Sequence, residues 1–61
     1  FKIREARKEC GFTQEELAKR AKVSRATIIG LENGSITVTT TETLTKIAGA
    51  LGKKVSDIFL A

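Results

Sequence analysis

The chain has 61 residues, carries a net charge of +4, and contains one cysteine and no histidine, proline, tryptophan or methionine. So short a chain holds one small domain, residues 1–61, whose core is marginal without a staple such as a disulfide, a metal or a partner subunit. Cys10 alone cannot form an internal disulfide, and the absence of histidine rules out a Cys/His metal site. No apolar run approaches the ~18 residues of a membrane span, and no secretory leader is visible. The expected location is therefore the cytoplasm. The start at Phe1, without any methionine, predicts that the ends of a longer protein are missing.

In chain order, Phe1, Ile3, Ala6, Arg7 and Cys10 recur at roughly helical spacing and predict an amphipathic first helix, its apolar face interrupted by Arg7 and its end closed by Gly11. This spacing places Cys10 in the core, and Phe12 with it. Thr13-Gln14-Glu15-Glu16 is a capping box that opens a second helix, with Leu17, Ala18 and Ala21 inward. Ser24 caps a third helix, with Ile28 and Leu31 inward and Asn33-Gly34 as its end.

Six of residues 35–45 are threonine, and Ile36 and Val38 alternate with polar neighbours. Propensity favours a strand here, but a lone strand has no partner, so the segment is expected to be an extended loop. Thr39-Thr40-Thr41-Glu42 reads as a second capping box. It opens a fourth helix carrying Leu44, Ile47, Ala48 and Leu51 and ending at Gly52. Ser56 is expected to cap a short last helix with Ile58, Phe59 and Leu60. The predicted fold class is all-α, a string of five short helices.

Charge points to the partner. Residues 1–25 hold eight basic and four acidic side chains, whereas residues 26–61 hold three of each. The whole excess thus lies in the first part of the chain, an electrostatic footprint for an anionic partner such as nucleic acid. The second and third helices are joined only by Ala21-Lys22-Val23, a joint that forces a crossing near ~90–120°. The small Ala18 and Ala21 suit such a crossing. This is the pattern of a helix-turn-helix whose second helix enters the major groove of double-stranded DNA.

Gly11-Phe12-Thr13-Gln14-Glu15-Glu16-Leu17-Ala18, Val23-Ser24-Arg25-Ala26-Thr27-Ile28, Leu31-Glu32-Asn33-Gly34 and Leu44 to Gly52 resemble the Cro and phage-repressor (XRE) type of helix-turn-helix. The resemblance covers nearly the whole chain. It implies a compact five-helix, lambda-repressor-like domain, a repressor-like transcriptional regulator, and a homodimer formed near the C-terminal helix. It also implies a partly buried ion pair between Arg7 and Glu32. Lys22 departs from the family's turn glycine, a position usually needing positive φ, where a lysine costs ~1–2 kcal/mol. The loop after Gly34 is threonine-rich where the family commonly has Lys, Arg and Pro. Ile29 and Gly30 are expected to face outward from the third helix.

Each expected DNA contact has a physical reason. Arg25, second in the third helix, offers a fork matching guanine O6 and N7. The Ser24 hydroxyl and the Ala26 methyl suit a base edge and a thymine methyl. Gln14, in the first turn of the second helix, suits a phosphate held by that turn's free N–H groups. Thr27 and Asn33 are further phosphate candidates, with a C-cap role the alternative for Asn33, and the outward Ile29 completes the set. A rival reading is an antitoxin-type module that also docks a protein partner, using Ile29 and the threonine-rich loop. No cofactor is expected. No nucleophile–base pair can be assembled, so an enzyme is not expected.

Overall fold

In a computed structural model, which describes residues 1–59, the chain folds as α1 (Ile3–Glu9), α2 (Gln14–Ala21), α3 (Arg25–Asn33), α4 (Thr41–Leu51) and α5 (Val55–Phe59). The described residues contain no strand, and 35–40 form an extended loop. Helix α2 is central: it packs against both α3 and α4, while α1 lies on α3 and α5 on α4. The fully buried side chains Ile3, Leu17, Ile28, Ile47 and Ile58 come one from each helix. Helices this short are not stable alone, so their shared apolar stripe supplies most of the stability. Ala6, Ala18, Ala21 and Ala48 are buried in the same core cluster.

Local chemistry explains most of the boundaries. Thr13 Oγ1 accepts from Glu16 N at 3.0 Å, and Glu16 Oε1 accepts from Thr13 N at 3.3 Å, so the expected capping box closes. Ser24 Oγ accepts from Thr27 N, and Gly34 ends α3 in the left-handed conformation. Gly11, at φ 75°, lets Phe12 N reach back to the Arg7 carbonyl and close α1.

Four expectations are corrected. The cap of α4 is Thr40, not Thr39, with its hydroxyl accepting from Thr43 N at 3.2 Å. Glu42 therefore takes no capping role and pairs instead with Lys46, one turn on. Ser56 lies inside α5, whose first turn is braced by Asp57 Oδ2 accepting from Lys54 N. Cys10 is exposed as a residue and not part of the core: it is the C-cap of α1, at the rim, where its Sγ donates to the Leu51 carbonyl at 3.6 Å. Gly30 is buried, not outward, since Ile36 folds back over it and Ile36 N donates to the Gly30 carbonyl at 3.0 Å. A Cβ on Gly30 would stand 2.6 Å from Ile36 Cγ1, so any larger residue here forces the Ile36 side chain to move. Leu60 lies outside the described residues.

Lys22 takes φ 58° and ψ 41° at the C-cap of α2, the one positive φ among described non-glycine residues. A side chain there is strained, and glycine is not. Lys22→Gly is expected to raise stability by ~1 kcal/mol, or roughly 4–8 °C in Tm for a domain of this size. Thermal melts of the two proteins check this, and an unchanged or lower Tm would argue against a strained turn.

Candidate nucleic-acid interface

The first turn of α3 is its most open part. Ser24, Arg25 and Ala26 are all exposed, Thr27 and Ile29 are half-buried, and Ile28, Gly30 and Leu31 face the protein. Arg25 makes no ion pair among the described residues, so its fork is available. Ser24 Oγ and Thr27 Oγ1 lie 2.7 Å apart. One of these hydroxyls donates to the other, which leaves one O–H for an outside acceptor. Asn33, the last residue of α3, accepts from Ser35 N at 2.8 Å through Oδ1, and its amide N–H groups stay open. It braces the turn while Gly34 supplies the left-handed cap.

Beside α3 stands the first turn of α2. Its capping box uses Glu16 N and leaves Gln14 N and Glu15 N without a partner among the described residues. Gln14 has a partner within the chain. Its Nε2 donates to Glu32 Oε1 at 3.2 Å, which holds the side chain half-buried.

Glu32 is the hub that ties three helices together. Its carboxylate receives Arg7 Nε at 2.7 Å on Oε2 and Arg7 Nη2 at 3.1 Å on Oε1. Arg7 Nη1 donates to the Phe12 carbonyl at 2.9 Å, so all three of its nitrogens are engaged. The side chains are 12% and 1% exposed, respectively. Burial pushes the Glu32 carboxyl up, but hydrogen bonds from Arg7, Gln14 and Arg4, with the charge of Arg7, outweigh it and hold the group below its ordinary value. The hydrogen bond to Glu32 raises Arg7 against the opposing effect of burial. The ion pair that the resemblance implied is therefore present, and it fixes α3 to α1.

Two members of this region escape sequence reading. Arg4 also donates to Glu32 Oε1, at 3.4 Å. Its signal is the i, i+3 spacing to Arg7, which puts both on one face of α1. Arg20 lies over the ring of Phe12, 4.4 Å from its centroid, which keeps a cation on the exposed side of α2. Lys53 pairs with Glu9 at 3.1 Å, on the α1–α5 side of the molecule. No helix among the described residues is long and apolar enough to cross a membrane.

The helix-turn-helix family profile matches residues 3–58 of the chain. The chain belongs to the Cro and phage-repressor (XRE) family of helix-turn-helix DNA-binding domains. This XRE domain is 51% identical over 59 residues to an uncharacterized HTH-type transcriptional regulator of Methanothermobacter thermautotrophicus, covering 95% of this chain and 84% of the relative. Two further proteins of the same description, from Archaeoglobus fulgidus, are 41% and 42% identical over 59 residues. The matches cover 97% of this chain and 83% and 82% of those relatives. No solved structure gives a significant match. The XRE family is a class of DNA-binding domains, not of enzymes.

Proposed function

We propose that the chain is a repressor-like transcriptional regulator that acts in the cytoplasm and binds double-stranded DNA sequence-specifically, with α3 in the major groove. The observation that carries this reading is the open first turn of α3, where Arg25 is exposed between Ser24 and Ala26 and makes no ion pair among the described residues. Arg25 reads a guanine, with Ser24, Ala26 and Ile29 on neighbouring base edges or thymine methyls. Gln14, Thr27 and Asn33 hold backbone phosphates, together with the free N–H groups of α2. With one strong hydrogen-bonding reader, each domain discriminates only a few base pairs.

Selection of preferred sites from random duplexes, followed by titration, tests the assignment. Arg25→Ala is expected to lose between about 1 and 3 kcal/mol of specific affinity and to relax one base position. Unchanged preference and affinity would sink it. A salt titration separates this reading from an antitoxin-type module that docks a protein. The rival is favoured by Val38, which is 85% exposed on the threonine-rich loop. Binding to DNA weakens steeply with salt, and docking through Val38 and Ile29 does so far less.

A homodimer centred on α5 supplies the rest of the specificity. Phe59 is half-buried and meets the exposed Phe1 edge-to-face, with ring centroids 4.9 Å apart, so an apolar surface lies at the α1–α5 end. Such surfaces mark contacts. Two domains of 24 × 21 × 19 Å related by a two-fold axis can set their reading helices about 34 Å apart, one turn of DNA. Analytical ultracentrifugation should show a concentration-dependent dimer that Phe59→Ser weakens. A chain that stays monomeric at high micromolar concentration and binds only half-sites rules the arrangement out.

A further inference from the structure

The Glu32 cluster holds more positive charge than its one carboxylate can neutralise. Two guanidinium groups, those of Arg4 and Arg7, face it, and neither pairs with another acidic group among the described residues. They are held very differently. Arg7 is bidentate on Glu32, caps the Phe12 carbonyl with its remaining nitrogen, and is nearly buried. Arg4 makes one contact, through Nε at 3.4 Å, and its side chain is 55% exposed. Its Nη1 and Nη2 have no partner among the described residues.

The acceptor is oversubscribed as well. Glu32 Oε1 receives Arg7 Nη2, Gln14 Nε2 and Arg4 Nε at 3.1, 3.2 and 3.4 Å. A carboxylate oxygen offers about two lone-pair sites. The longest and most exposed of the three donors, Arg4, is the surplus member. If it leaves, Glu32 keeps a bidentate arginine and an amide, and the buried pair stays neutral. Arg4 and Gln14 share one oxygen, so they are near neighbours at the edge of the first turn of α2. The free pair of Nη groups is a planar fork that fits two phosphate oxygens.

We infer that Arg4 is a DNA phosphate-binding residue, which exchanges its weak contact with Glu32 for a backbone phosphate beside Gln14. The inference rests on the DNA-binding reading above and adds to the interface a residue of α1, outside the helix-turn-helix itself. It also gives the cluster a division of labour: Arg7 holds the reading helix through Glu32, and Arg4 delivers the excess charge to the duplex.

The experiment is fluorescence anisotropy with a short random-sequence duplex, from about 50 to 200 mM KCl, on the wild type and three variants. Arg4→Gln keeps a donor for Glu32 but removes the charge. It is expected to lower affinity severalfold and to reduce the slope of log K against log salt by about 0.9, one phosphate's worth. Arg4→Lys should restore most of that slope. Lys53→Gln, which removes an equal charge from the pair with Glu9, should keep the wild-type slope. A wild-type slope for Arg4→Gln, or an equal loss for Lys53→Gln, overturns the inference. So does an Arg4→Gln protein whose only change is a lower Tm. If the wild type fails to bind duplex at all, the DNA-binding reading falls and this inference falls with it. Salt-sensitive binding by the wild type with an unchanged Arg4→Gln slope removes the phosphate contact alone.

Discussion

Arg7→Ala is expected to cost about 3–5 kcal/mol and to leave the domain largely unfolded at room temperature. The reason is the partner left behind. Glu32 is 1% exposed at its side chain, and Arg7 supplies both its shortest contact and its only bidentate one. Without Arg7 the carboxylate keeps only Gln14 at 3.2 Å and Arg4 at 3.4 Å. A buried charge so poorly compensated either unfolds the site or takes up a proton. A core of this size rarely supplies more than ~3–5 kcal/mol in total, so the loss matches the whole stability. Replacing both partners by apolar residues, as in Arg7→Met with Glu32→Leu, should recover much of it, since the pair itself contributes little net energy. Urea unfolding of the single and double variants measures this, and an Arg7→Ala protein as stable as the wild type would show that the pair does not hold α3.

The same pair makes stability depend on pH, with a definite sign. Glu32 has a folded value below its ordinary one, so the folded state binds its proton less readily than the unfolded chain does. Its contribution is fully present above the unfolded value, ~4.3, and is lost as pH falls through the lower folded value. Wild-type Tm should therefore fall over that acid window. Glu32→Gln removes this part of the pH dependence and flattens the curve.

How much of this was legible in the sequence depended on how local the signal was. Thr13 with Glu16, Ser24 with Thr27, and the closing glycines Gly11, Gly34 and Gly52 each act within one turn of chain, and those helix ends fall where expected. Where several neighbours offer equal chemistry, the register slips: Thr39, Thr40 and Thr41 can each cap, and the backbone uses Thr40. Cys10 keeps the helical spacing of α1 and its Sγ reaches the Leu51 carbonyl, but it is the last residue of the turn, where the core no longer covers it. Gly30 and Gln14 depend on partners distant in sequence or space. Gly30 is outward on a helical wheel until Ile36 returns over it, and Gln14 is open until Glu32 arrives from α3. For Ser24, Arg25 and Ala26 the cap at Ser24 and an outward position in the first turn of α3 were legible, and all three are exposed.

Ala18→Leu is expected to cost ~3 kcal/mol, at the upper end of the penalty for overpacking. Ala18 is 5% exposed on α2, in the core cluster that includes Ile28 and Leu31 of α3. Leucine adds an isopropyl group at this buried position, so the helices packed on α2 would have to shift. The connection between α2 and α3 resists this. Only Lys22 and Val23 separate the end of α2 from Ser24, the cap of α3. The Ala18 carbonyl itself accepts from Val23 N at 3.0 Å, so the mutated residue also anchors the turn. With a change of about 4–8 °C per kcal/mol for a domain this small, the expected fall in Tm is about 12–24 °C. The loss should extend to DNA binding, because any tilt of α3 moves Arg25 away from the position set by the cap at Ser24. Ala18→Gly serves as the control: it removes bulk instead of adding it and should cost only the ~1 kcal/mol of lost helix propensity plus a small cavity. Melting curves with duplex titrations of the surviving folded fraction separate the two effects. An Ala18→Leu protein that melts with the wild type would mean that α2 and α3 do not meet at this residue, which would remove the packing that presents the first turn of α3.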